Sequence, residues 1–483
     1  MKALSILGTS SNSGKSWFTT ALCAWLRRKG VRVAPFKAQN MSNNSYVTLD
    51  GGEIGRAQGV QAEACGLLPR VEMNPILLKP SGQMGSQLIV LGQARHHLKA
   101  GEYYREIESF WRTVEETLEY WKKECDVLIL EGAGSPVELN LMKRDIVNLR
   151  PVRHLDGRWL LVSDIERGGV FAQIVGTWNL MEPEDQARGL GVVVNKFRGD
   201  LSLFSEAAAC LSSRTTLPLL GTLPFKDSLQ PEKEDSLCRE ADTFVEGSTM
   251  GWISFPNLSN SQDSQAWKFD QGVGLHWVER LDDLIGVQAI VLPGTKNTLA
   301  DLKWLHQSGL AAAIQRAAHA GVPVVGICGG YQMLGDWLTD PSGVAGDAGG
   351  MKGLNLLPVS TLFEATKQVH QIEAIWEGNR WMAYETHMGK TTMTEKCEPL
   401  IEIQTSSGQQ PEGCRKGKIW GTYLHGLFES PAVRISLARN AGFRNFKCSP
   451  ISWRESQQTV YDGMADMLDE YINMETILKY VAD

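Results

Sequence analysis

The chain has 483 residues, 43% hydrophobic and 21% charged, which is long enough for two or three domains with real cores. Its net charge of -7 argues against a nucleic-acid partner. Nine cysteines without paired spacing predict neither a disulfide framework nor a zinc site, and favour a reduced, cytoplasmic setting.

The opening MKALSILG is too short for a signal-peptide core, and no apolar stretch approaches the length of a membrane span. A soluble protein that is not exported and does not engage a membrane is expected. Short apolar runs then alternate with longer amphipathic ones. ALSIL is followed by KSWFTTALCAWLRRKG and VRVAPFK, and later come DVLILEG, RWLLVSDI and GLGVVVNKF. Nearly all-apolar strands between helices predict a parallel sheet covered on both faces. FKDSLQPEKEDSLCREADTFVEG is polar, without an apolar period, and reads as a solvated surface segment ending one domain. A second α/β series runs through MGWISFP, VQAIVLPG, VPVVGICGG and GKIWGTYLHG, and from about Ser430 the chain reads as helix.

GTSSNSGKSWFTTALC lies where a strand hands over to a helix. The usual phosphate-loop pattern has about four residues between its first Gly and Gly-Lys-Ser/Thr; here Thr9 to Ser13 intervene, with Asn12 among them. Gly8 and Gly14 let backbone N–H groups turn toward phosphate oxygens, and the helix start adds its positive dipole end. Lys15 can reach the β- and γ-phosphates, and Ser16 can ligand Mg²⁺. Glu131 ends an apolar strand, at the edge where ligands of open α/β sheets bind, and is the second Mg²⁺ candidate.

Gly326-Ile327-Cys328-Gly329-Gly330 has the form of a nucleophile on a sharp strand-to-helix turn. Glycines relieve the crowding, the helix start favours thiolate, and the Gly329 N–H can face an oxyanion. A thiolate needs a base. His425 in GTYLHGLFE is the first candidate and His387 in AYETHMGKT the second.

Resemblances extend this reading. The longer phosphate loop resembles the dethiobiotin synthetase family, in which ATP activates a carboxylate; that likeness implies that Asn195 contacts adenine. The Cys328 region resembles class I-type glutamine amidotransferases, which implies that Gly294 in LPGTKNT supplies a second oxyanion N–H. Most such domains follow the histidine with Pro-Glu, whereas Gly426-Leu427 stands here. Glu429 is nearby but is not assigned the orienting role. FKAQNMSNNS, EIGRAQGVQAEA, MNPILLKP, DIERGGVFA, YETHMGKT and GTYLHGLF together resemble the cobyric acid synthase family over nearly the whole chain.

That resemblance implies an ATP- and Mg²⁺-dependent synthetase domain at 1–230, a linker at 231–250, a glutamine amidotransferase domain at 251–432 and a helical segment at 433–483. It implies amidation of the b, d, e and g side chains of adenosylcobyrinic acid a,c-diamide with nitrogen from L-glutamine. Lys37, Gln39, Asn40 and Lys79 are candidates for the corrinoid polycarboxylate, with surface charge the plain alternative for the two lysines. No Asp-x-His-x-x-Gly motif occurs, so the corrin is expected as substrate and not as cofactor. Cobyrinic acid a,c-diamide synthase is the neighbouring reading. A P-loop regulatory ATPase with an inactive amidotransferase module is the alternative of another class.

Overall fold

Alternation along the strands decides where the cores lie. In the computed structural model, which describes residues 1–80, 85–232, 242–344, 348–405 and 407–482, Leu4 and Ile6 of the strand Lys2–Gly8 join one apolar cluster. Ala3 and Leu7, which flank them in sequence, join two others on the opposite face. Both faces of this sheet are therefore covered, and the strand can be apolar throughout. The chain divides into two compact units, Met1–Glu234 with Gln457–Asp483, and Asp235–Ser456.

The first unit is built on a six-stranded sheet in the order Leu219–Pro224, Gly189–Phe197, Arg158–Asp164, Lys2–Gly8, Val127–Glu131 and Val33–Phe36. Every pairing in it is parallel. The carboxyl ends of its strands thus lie along one edge, which carries Gly8, Glu131, Asp164 and Asn195. The helix Lys15–Arg28 packs Phe18, Leu22 and Trp25 onto this sheet, in one cluster with Tyr461, Met464 and Leu468 near the chain's end.

The second unit also centres on a six-stranded sheet: Gly274–Val278, Thr249–Ile253, Ala289–Leu292, Val324–Ile327, Ile419–Thr422 and Cys414–Lys416. It is parallel except for the last strand. A long hairpin of Val359–Trp376 and Asn379–Met393 anchors a further sheet. The alternating α/β reading did not anticipate it. Its strands mix buried and exposed residues, as a sheet with one solvated face does.

Two expectations need correction. Cys397 and Cys414 form a disulfide, although their spacing shows no pattern. An antiparallel bridge between Glu398 and Arg415 sets their backbones side by side, a proximity that exists only after the strands pair. The polar segment before the second unit is not simply solvated. Leu229 packs against the first unit's core and accepts a bond from Trp17 Nε1 at 2.7 Å, while Glu232 forms a buried ion pair with Arg56 at 2.6 Å. Residues 233–241 of the linker expected at 231–250 lie outside the described residues.

Candidate functional site

The strand Val324–Ile327 ends at Cys328, whose φ of 53° and ψ of -109° lie where an L-residue is strained. The following turn closes against the neighbouring strand. A Cβ at Gly330 would stand 1.9 Å from the Leu292 carbonyl oxygen, so only glycine fits there. The Cys328 N–H is held by the Thr422 carbonyl at 2.8 Å, and its Sγ lies 3.5 Å from the Thr386 carbonyl. The side chain is buried but for a few per cent, and it lies close enough to His425 to raise the imidazole.

His425 is set by backbone and ring alike. Its N–H bonds to the Tyr384 carbonyl at 2.8 Å and its carbonyl accepts from Tyr384 N at 3.2 Å. The two rings stack 5.1 Å apart. The opposite nitrogen, Nδ1, lies 2.8 Å from Asp263 Oδ2, and Asp263 Oδ1 accepts the Gly426 N–H at 2.7 Å. Asn260 Nδ2 lies 3.2 Å from Nε2. Burial pulls the imidazole down, but the Asp263 carboxylate and the Cys328 side chain outweigh it and raise the ring from 6.5 to about 10.

His387, the second base candidate, is engaged elsewhere. Its ring stacks on Tyr423 at 3.7 Å, Nδ1 lies 2.7 Å from the Gly389 carbonyl, and Nε2 lies 3.4 Å from Glu385 Oε2. Glu429 does not supply the carboxylate at Nδ1. Asp263 does, from the short helical turn Ser261–Phe269, and sequence reasoning missed it. Its stretch NSQDSQAW reads as an ordinary polar run, and only the fold buries Ser261 to Trp267 together. Gly294 and Gly329 both line this centre. A Cβ at Gly294 would meet His425 Cε1 at 2.7 Å, and one at Gly329 would meet Thr295 Cγ2 at 2.6 Å.

The first unit gathers a second cluster at its strand ends. Gly14 has φ of 100°, and a Cβ there would strike Asn195 Nδ2 at 1.8 Å. Asn195 Nδ2 donates to the Ser13 carbonyl at 3.2 Å, so Asn195 braces the loop. Thr9 Oγ1 bonds with Gln173 at 2.9 Å and Ser163 at 3.0 Å. The Asn12 carbonyl accepts Lys196 Nζ at 2.6 Å. Lys15 Nζ donates to the Ser10 and Gly134 carbonyls at 2.9 and 3.0 Å. Burial, then the nearby Lys37 charge, lower Lys15 to about 8 against the pull of Glu131.

Glu131 is fully enclosed. Its Oε1 accepts Ser16 Oγ at 2.9 Å and Lys37 Nζ at 2.7 Å, and its Oε2 accepts Gln61 Nε2. Burial pushes the carboxyl up, but Lys37, Gln61 and Ser16 prevail and hold it below its ordinary value. Ser16 and Glu131 thus converge as hard oxygen donors, a set that suits Mg²⁺ beside phosphates.

Neither lysine among the substrate candidates is a surface charge. Lys37 pairs with Glu131, and Lys79 is buried on Glu53 at 3.0 Å and Ser45 at 3.1 Å. Asn40 donates to Gln58 at 2.9 Å, and Gln39 Oε1 accepts the Tyr103 hydroxyl at 2.8 Å.

Comparison with known proteins agrees with both halves. Residues 4–237 match the CobQ/CobB/MinD/ParA nucleotide binding domain, and residues 249–433 the CobB/CobQ-like glutamine amidotransferase domain. The chain is 43% identical to a cobyric acid synthase of Roseiflexus castenholzii over 450 residues, 91% of each chain. It is 39% identical to that of a Synechocystis species over 496 residues, 99% of this chain and 98% of the other. With that of Moorella thermoacetica it shares 42% over 456 residues, 90% and 87% of the two chains. With identity at this level along nearly its full length, the chain belongs to the cobyric acid synthase family.

Proposed function

We propose that the protein is a glutamine-hydrolysing amide synthase that uses ATP to amidate the peripheral carboxylates of a corrinoid. The observation that carries the glutaminase half is His425 set between a strained Cys328 and a buried Asp263. The Cys328 sulfur, its proton passed to His425, adds to the side-chain carbonyl carbon of glutamine. The carbonyl electron pair moves to oxygen, where the N–H groups of Gly294 and Gly329 receive it. When the carbonyl re-forms, the imidazolium gives its proton to the departing nitrogen, and ammonia leaves. Water then attacks the thioester through the same base, releasing glutamate and restoring the thiol.

Ammonia needs an activated acceptor, because hydroxide is a poor leaving group from a carboxylate. The phosphate loop Gly8–Ser16 would bind ATP, with Lys15 on the phosphates and Asn195 at the adenine end. Ser16 and Glu131 are the residues that would hold Mg²⁺. Bound there, the metal would neutralise phosphate charge during transfer to the corrinoid carboxylate. Lys37 lies on the same carboxylate and extends the cationic wall for an acidic substrate. Lys79, Gln39 and Asn40 are the further substrate candidates. By the family likeness the acceptor is adenosylcobyrinic acid a,c-diamide and the four carboxylates are b, d, e and g.

The reliance on ATP and glutamine fits a cytoplasmic enzyme, and the net charge of -7 fits small-molecule substrates better than nucleic acid. No helix among the described residues is long and apolar enough to cross a membrane. A regulatory ATPase with a dead amidotransferase module would have no use for an intact thiol–imidazole–carboxylate line. The reading is tested by incubating the protein with ATP, glutamine and corrinoid polycarboxylates and following amide formation by mass spectrometry. Absence of any hydroxyl-to-amino exchange with every corrinoid tried would refute it.

A further inference from the structure

Asp301 is a buried carboxylate to which the chemistry above gives no part. It sits on the helix Thr298–Gln307, and its oxygens are filled from two separate turns. Asn257 Nδ2 donates to Oδ1 at 2.8 Å, and the Asn257 N–H lies 3.3 Å from both oxygens. Thr295 Oγ1 donates to Oδ2 and lies 3.1 Å from the Asn257 carbonyl. An antiparallel bridge between Leu258 and Thr295 continues the join. Ser259 N–H bonds to the Gly294 carbonyl, and Lys296 N–H to the Asn257 carbonyl, each at 3.0 Å. These bonds use neither the Gly294 N–H nor the Thr295 N–H.

Both walls of the glutaminase centre grow out of this join. A Cβ at Gly294 would strike the His425 ring, and Thr295 packs against Gly329, whose Cβ position is 3.2 Å from Thr295 N. The chain leaving Ser259 supplies Asn260 and Asp263 to the two nitrogens of His425. A small shift of the Gly294–Thr295 turn would move the oxyanion donor relative to the thiol.

We propose that Asp301 is a positioning residue of the glutaminase: through Thr295 and Asn257 it locks the Gly294–Thr295 turn, so that backbone N–H groups meet the oxygen of the glutamine carbonyl as the thiolate adds. Asp301 itself touches no substrate. The proposal rests on the glutaminase reading above. A side chain serving packing alone would gain nothing from an ionisable group here, since burial raises this carboxyl to about 6 against its bonds to Thr295 and Asn257.

The test uses full-length Asp301→Asn, Thr295→Val and the double variant. Glutaminase kcat is expected to fall at least about tenfold with KM within about twofold, because a displaced oxyanion donor acts only in the transition state. The double variant should be no worse than the weaker single variant. Alkylation of Cys328 by iodoacetamide, followed on its own peptide by mass spectrometry, should keep its wild-type rate, since that reaction develops no oxyanion. Amidation from ammonium salts should also be unchanged. Wild-type kcat in Asp301→Asn overturns the proposal. So does a fall in kcat matched by equal falls in alkylation rate and in ammonia-dependent amidation, which marks a general folding defect. If Cys328→Ser still hydrolyses glutamine, the glutaminase reading fails, and this proposal with it.

Discussion

Asp263 and His425 stand 162 positions apart in sequence, yet Oδ2 and Nδ1 meet at 2.8 Å with neither side chain exposed. The other carboxylate oxygen holds the N–H of Gly426, the next residue after the histidine. One carboxylate therefore fixes both the ring and the backbone turn that carries it. This is the arrangement that keeps an imidazole in one tautomer and stabilises its cation.

Asp263→Asn should lower glutaminase kcat by about 10²- to 10⁴-fold, as loss of the orienting carboxylate does in a catalytic triad. The pH dependence gives the sharper check. His425 is raised from 6.5 to about 10, so it holds its proton through this window in the folded protein. The limb of the glutaminase pH profile set by His425 should therefore lie at lower pH in the variant than in the wild type. The same shift stabilises the fold fully below pH 6.5, and that contribution is lost as pH rises to about 10. Denaturant titrations at several pH values should show this slope weakened in the variant; an unchanged slope would remove Asp263 as the cause.

Cys328→Ser should lose glutamine-dependent amidation by about 10³-fold or more, since a serine hydroxyl lacks an accessible anion. It should keep amidation from ammonium salts, because the carboxylate-activating residues lie in the other unit. His425→Ala should show the same split. His387→Ala should retain more glutaminase activity, given that its ring is occupied by Tyr423, Glu385 and Gly389. Rates measured with both nitrogen sources decide this, and glutamine use by Cys328→Ser near the wild-type rate would exclude the thiol.

Lys15→Ala should abolish amidation from either nitrogen source while glutamine hydrolysis remains measurable. Glu131→Gln should raise the Mg²⁺ concentration needed for turnover, because the amide cannot offer the charge that Ser16 and Lys37 now surround. A Mg²⁺ titration of nucleotide binding provides a reading independent of turnover. Normal binding in Glu131→Gln across the titration would make that carboxylate structural.

Reducing the Cys397–Cys414 bridge should lower stability by at most about 3 kcal/mol, the chain-entropy value for a closed loop of about this length, here 17 positions. Thermal melts of oxidised and reduced protein, and of Cys397→Ala, measure it. If the melting temperature is the same with and without reductant, the bridge adds no stability.

Much of this was legible in the chain because it rests on local rules. Apolar runs such as VLILE and VVGI had to be buried strands, and GTSSNSGKS had to be a turn between strand and helix. The glycines around Cys328 announced a corner too tight for side chains, and Gly330 against Leu292 is that corner. Carboxyl ends of parallel strands point one way, so the apolar runs that precede Glu131, Asn195 and Cys328 suffice to put each of them at a strand end.

The partners of those residues followed other rules. Nothing local in NSQDSQAW marks Asp263 as the carboxylate for His425, and nothing near Glu429 disqualifies it. Lys37 and Lys79 read equally well as surface charges or ligands until folding buried each on its own carboxylate. The bridge between Cys397 and Cys414 depended on strands finding register. Sequence by itself determined the elements and the chemistry carried at their ends, because hydrophobic period and turn geometry act over a few residues. Tertiary structure alone decided which charge meets which, because that pairing is set by long-range packing and by the cost of leaving any buried charge unmatched.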